Sequence, residues 1–426
     1  MTTRNRLLAL VALLLLVTAC TKQPAKPADT TQAPVAPAAV TSVRLLTYPE
    51  LPFDVYLDAI IPAFQEAHPQ YRVEKVVWDG DPKAWNTAVD DRKVDVVPIA
   101  DWDDATRTRL LDLTPYIAKT SLDLRPYGRA QEYIQVDGGM YRLPFALTPF
   151  VMVAHEERLK EAGVTAPQQP PTWDEFRALL AKLTPRGDAV RFGMNDVPVE
   201  MVARAWVEGR VSGPINTADD KAVRECLEYF QALVETDRSM QKPAVRTFTG
   251  GEPYGDPEAF MTRKAAVTLG HYFPSMYEQL KLQPVILPMP VHAGHKPTGW
   301  ATPWSLGVAV TTPQADGAWA FVRYVAGPEG AELLARSGVV PLYATEAAAA
   351  AWKQQPGGVP AFGANYLATD WILEENRFSD SGQLESLAQM AFRDMVNTVL
   401  AKGTPIDEAM AEYRKKVEQY RSQWGR

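Results

Sequence analysis

DGGMYRLPFALTPFVMVAHEE, residues 137–157, holds a physical conflict. Asp137-Gly138-Gly139 is a tight-turn signal, because glycine enters the φ > 0 region without steric cost. The run that follows reads as a strand, yet Pro144 and Pro149 interrupt it. Proline has no N–H to give to a ladder, so a central strand should not hold two. Past Pro149 the chain reads FVMVA, apolar and extended, and then becomes a charged helix.

The residues before this stretch alternate between strand and helix patterns. Ser42–Tyr48 is a short strand, Ala59–Pro69 a helix, and Tyr71–Trp78 a second strand with alternating polarity. Asp91–Asp101 contains a third, continuously apolar strand of the kind buried on both faces. This order predicts α/β architecture with a parallel sheet, and loops at the carboxyl ends of such strands form sites. Those loops are Tyr48-Pro49-Glu50, Trp78-Asp79-Gly80-Asp81 and Asp101-Trp102-Asp103-Asp104, each pairing an aromatic with carboxylates. Asp79, Asp81 and Asp104 equally suit helix caps.

The N-terminus reads as an export signal. Arg4 and Arg6 precede the apolar run Leu7–Val17, which is too short to span a bilayer as a helix. Val17-Thr18-Ala19-Cys20 resembles a bacterial lipobox, predicting a signal peptide over 1–19 and a lipid on Cys20. Residues 20–41 form an Ala/Pro/Thr-rich linker. Loss of two arginines from 44 basic residues leaves 42 against 51 acidic ones, a balance of −9. That balance disfavours nucleic acid as a partner. Cys226, the other cysteine, lies in DDKAVRECLEYFQALVE with Val223, Leu227, Phe230 and Val234 at helical spacing, as a core thiol would.

Seven blocks, in order, resemble the family 1 extracellular solute-binding proteins of ABC transporters, the group that includes maltose-binding protein. They are Asp95-Val96-Val97 with LLDLTPYI (110–117), then DGGMYRLPF (137–145), then LKEAGVTAPQQPPTWDEFRALLAKLT (159–184). AFMTRKAAVTLGHYF (259–273), VILPMPV (285–291), the long block 299–343 and TVLAKGTPIDEAMAEYRKKVEQ (398–419) complete the set. Coverage is nearly all of residues 42–420, with the weakest match between Thr184 and Phe260. Where the family has Tyr-Asn this chain has Ala154-His155, so His155 is expected to be a surface or capping residue.

The resemblance implies a two-lobed, periplasmic-binding-protein-like fold of type II, with a ligand cleft between lobes joined by multiple crossings. Lobe 1 would be 42–148 plus about 303–350, and lobe 2 149–302 plus about 351–426. It also resolves the conflict at the two prolines. A segment that belongs to two sheets in turn must leave one ladder before entering the next, and there the N–H needs no partner. A second crossing is expected near Thr298–Pro303 and a third in the Ala-rich run after Tyr343.

For a sugar, aromatic faces would cover the ring while carboxylates and amides meet the hydroxyls. The positions this fold would bring to the cleft are Tyr48, Glu50, Asp101, Trp102, Asp103, Thr148, Asn195, Tyr272, Phe273, Trp300 and Trp304. The implied function is capture of a mono- or oligosaccharide outside the cytoplasm and delivery to ABC permease subunits, by a monomer anchored in the membrane through Cys20. The same fold would also suit a sugar phosphate, a polyol or a peptide, or a surface sensor or adhesin that no permease uses. Motifs of P-loops, nucleophile elbows and zinc proteases are missing from the sequence, and the five histidines are scattered, so neither catalytic residues, a metal nor a cofactor is expected.

Overall fold

The computed structural model describes residues 40–47, 52–78, 81–99, 104–136, 138–186, 190–196, 199–211, 215–245, 257–271, 284–295, 298–352, 354, 370–373 and 380–424. The signal segment, Cys20 and the linker up to Ala39 lie outside these residues. Strands in chain order are β1 (Thr41–Thr47), β2 (Tyr71–Val77), β3 (Val96–Ile99), β4 (Gln135–Val136), β5 (Gly139–Met140) and β6 (Leu143–His155). They continue as β7 (Phe192–Met194), β8 (Ala265–His271), β9 (Pro284–Leu287), β10 (Thr298–Val308), β11 (Val340–Pro341) and β12 (Asp370–Leu373).

The first βαβ unit is built as the alternation predicts. β1 pairs with β2 in parallel from Thr41↔Tyr71 to Thr47↔Val77, with the helix Pro52–Ala67 between them in sequence. β1 is buried on both faces: Val43 and Leu45 join a core with Ile60 and Phe64, while Leu46 turns to a smaller cluster with Trp85 and Val89. β3 is divided the same way, Val96 to one side and Val97 and Ile99 to the other, which is why its sequence is apolar without alternation. Asp95, just before β3, is fixed by Arg44 at 2.7 Å and by the Thr312 hydroxyl at 2.6 Å. Burial alone would push its carboxyl up. The hydrogen bonds from Arg44 and Thr312, with the Arg44 charge, outweigh burial and hold it below the usual range.

The sheet runs β2-β1-β3-β10-β6 and continues into β8 and β7. β10 is antiparallel to both β3 and β6. Two main cores result. The first gathers β1, the helix Pro52–Ala67 and the helix Ala315–Ala326, and the second gathers the helices Trp173–Leu183, Val199–Val211 and Asp220–Gln231 with the C-terminal helices. Cys226 lies in the second, its Sγ donating to the Ala203 carbonyl at 3.3 Å, and burial pushes its thiol well up.

β6 is the strand that holds two prolines, and it does serve two ladders. Leu143 to Pro149 is in register with β10, and Phe150 to Ala154 with β8. Pro149 is the last residue of the first ladder, so the missing donor falls at the change. Pro144 sits at an irregularity: Trp304 pairs with Ala146 but Ser305 with Pro144, leaving Phe145 over. β10 changes partners too. Thr298–Ala301 runs parallel to β12, Ala301–Leu306 pairs with β6, and Ser305–Val308 pairs with β3. Both crossings therefore occur on one line, where Ala301 faces Pro149 and Thr302 faces Thr148.

The expected third crossing is corrected. The Ala-rich run is the helix Glu346–Trp352, whose Ala348 and Trp352 pack in the first core. A run of alanines is the strongest helix former, and nothing in it favours an extended strand. Among the described residues after this helix, Ala388 is the first buried residue of the second core.

Candidate functional site

In an open α/β sheet the carboxyl ends of the parallel strands converge on the site. The ends of β1 and β3 run into residues 48–50 and 100–103, so Tyr48, Glu50, Asp101, Trp102 and Asp103 fall outside the described residues, as do Tyr272 and Phe273. Trp300 is placed by its backbone in β10, opposite Ile372; its side chain is not described. After β2, Asp81 caps the helix Pro82–Asp90 by accepting from the Lys83 N–H, and the Trp78 indole donates to the Asp81 carbonyl at 2.7 Å. Asp81 is thus a cap.

Thr148 and Trp304 come together on the crossing line. The Trp304 indole N–H donates to the Thr148 hydroxyl at 2.5 Å. Thr148 is buried, and Trp304 is half-buried against the first core.

Asn195 follows β7 and is fully buried, its N–H donating to the Val267 carbonyl of β8 at 3.1 Å. From here a series unfolds that the sequence reading missed. Asp196, Glu200, Arg204 and Glu208 recur at every fourth position, and none is more than 7% exposed. Four-residue spacing stacks side chains on one helical face, and Arg204 Nε meets Glu208 Oε1 at 2.8 Å. The signal was legible. From Val199 to Glu208 the helix is apolar at its other positions and buried all round, so these charges are internal, whereas Arg210 in its last turn is exposed.

His155 corrects a second expectation. It stands at the N-cap position of the helix Glu156–Glu161, as a capping residue would, but its side chain makes no cap hydrogen bond and it is not at the surface. Its ring is buried and stacked on Phe260 with centroids 4.0 Å apart, and Nε2 shares a hydrogen bond with the Phe260 carbonyl at 2.7 Å. Burial pushes its pKa down, and the nearby Arg263 and Arg158 act in the same direction against the Phe260 hydrogen bond. A strand end covered by the helix Pro257–Met261 leaves no exposed surface at that position. Among the described residues no group of His, Cys, Asp and Glu could hold a metal ion, and no helix is long and apolar enough to cross a membrane.

The model of the bacterial extracellular solute-binding protein family matches residues 51–332, well over half of the sequence, and the chain belongs to that family. No curated protein matches it. Among solved structures, a sugar transporter from Rhizobium etli in an open conformation is similar with a TM-score of 0.69 at 19% identity, covering 89% of this chain and 99% of that one. An ABC substrate-binding protein from Listeria monocytogenes in complex with cycloalternan gives 0.68 at 15%, covering 91% and 99%. UgpB from Mycobacterium tuberculosis in complex with glycerophosphocholine gives 0.69 at 13%, covering 90% and 99%. At such identities the likeness shows the fold, a two-lobed binding-protein architecture.

Proposed function

We propose that the chain captures a carbohydrate, a mono- or oligosaccharide, in the cleft between its lobes and delivers it to an ABC permease without catalysing a reaction. The lobes are 42–148 with about 303–350, and 149–302 with about 351–426. The protein works as a lipoprotein monomer, tethered through Cys20 outside the cytoplasm. The observation that supports the reading is the shared crossing line of β6 and β10, with Thr148 on it and the half-buried Trp304 bonded to the Thr148 hydroxyl. An indole with its N–H engaged presents a flat apolar face, which suits the apolar face of a sugar ring. The description of the Rhizobium protein as a sugar transporter and the cycloalternan bound by the Listeria protein support the same class. Glycerophosphocholine in UgpB favours a second reading, a glycerol phosphodiester. None of the eleven candidate residues is basic, and a phosphate would call for a cation.

The test is a thermal-shift panel of glucose, maltose, maltotriose, mannobiose and glycerophosphocholine, followed by small-angle scattering with the best binder. A sugar at 100 times its Kd raises stability by about 2.7 kcal/mol and closure shrinks the radius of gyration. A shift with glycerophosphocholine alone would replace the carbohydrate reading.

A further inference from the structure

Gly270 lies near the carboxyl end of β8, opposite Val151 of β6. The chain itself gives no reason for a glycine there. Its φ is outside the left-handed range, so a side chain would suit the backbone, and a Cβ built on it meets nothing within 4 Å. Other glycines have local reasons. A Cβ on Gly193 of β7 would come within 2.5 Å of the Leu180 carbonyl, and one on Gly307 of β10 within 2.8 Å of Ile99. Gly138 and Gly403 have φ of +80° and +75°.

A glycine inside a strand weakens it, and commonly marks a place where a ligand or another backbone approaches closely. Among the described residues no backbone comes that close. The location favours a ligand. Val151, its partner, is two residues past Pro149, where β6 changes sheets. Asn195 follows the adjacent strand β7 and bonds to Val267 of β8. Leu269 and Val151 are 1% and 2% exposed, while Gly270, on the strand between β6 and β7, is only partly buried.

We propose that Gly270 is a space-making, specificity-determining residue of the cleft. The void beside its Cα seats part of a bound saccharide ring, and the size of residue 270 decides which ring substituents are admitted. This rests on the carbohydrate reading above.

The test is made on the full chain in a Cys20→Ala background. Cys226, buried and with its thiol pushed well up, stays silent under native conditions. Gly270→Cys is treated with methyl methanethiosulfonate, alone and with whichever of glucose, maltose, maltotriose or mannobiose shifts the wild-type melting temperature. The expected result is ready modification of the native protein, slowed about tenfold or more by that sugar at well above its Kd. Gly270→Ala keeps or raises the melting temperature, because the backbone accepts a side chain. Gly270→Phe fills the void and loses about tenfold or more in affinity, about 1.4 kcal/mol, with the fold retained. The proposal is overturned if Gly270→Cys reacts only when unfolded in urea, or if a sugar that binds the wild type neither protects it nor is weakened by Gly270→Phe. If no sugar shifts the wild type, the carbohydrate reading fails first and takes the proposal with it.

Discussion

The bond between Trp304 and Thr148 is where fold and site meet, and its contribution is open to measurement. Thr148→Val keeps the side-chain shape and removes the acceptor. No cavity forms, so the loss is that of the hydrogen bond alone, about 0.5–1.5 kcal/mol net. The middle of that range, about 1 kcal/mol, is the expected loss. Trp304→Phe removes the same bond together with part of the ring, adding about 1–2 kcal/mol of lost apolar burial. In the double variant the bond is lost once, so the two single losses should exceed the double loss by about 1 kcal/mol. Urea melts of the four proteins at one pH, with equal m-values, measure this directly. Losses that add to within about 0.3 kcal/mol would mean that the bond contributes nothing, and that the indole is held by packing against the first core.

Cys20→Ala is expected to release the protein from membranes with its melting temperature unchanged, because Cys20 precedes β1 by twenty residues of linker; a variant that stays in the membrane pellet refutes the lipid anchor. Stability should fall as pH drops below about 6.5. His155 and His292 are both held neutral by burial, with folded pKa values below the unfolded one, so the unfolded chain takes up the protons first. Each histidine contributes a slope of up to about 1.4 kcal/mol per pH unit, and His155→Phe should remove one such slope in melts between pH 7 and 5.

Much of the fold was legible because local rules and tertiary demands agree. β1 and β2 fall within a residue of the expected runs, β3 lies inside the expected Asp91–Asp101, and two prolines in one strand marked a segment with two ladders. The third crossing was misplaced because an alanine run carries a helical preference, which a family-level expectation does not override. His155 was misread for a different reason. A histidine after FVMVA has no polarity signal that separates a buried ring from a cap, and only the arrival of Phe260, over a hundred residues later, decides it.

The site is harder to read, since strand periodicity tells which residues share a face but not which face meets the cleft. β6 shows why. Met152 and Ala154 pack in the second core, while Val151 and Val153, one residue away each, join the first. Gly270 shares the face of Val151, as antiparallel partners do, and that face is known only once the register Val151↔Gly270 is known. A one-residue slip would turn residue 270 to the face of Met152 and Ala154, in the second core. The register is fixed from outside β8. Pro149 ends the ladder to β10, and Phe150 begins the next. The proline that looked anomalous in the sequence therefore marks where the phase of β8 against β6 is set, and with it the face on which the residue proposed above to make space for a ligand stands.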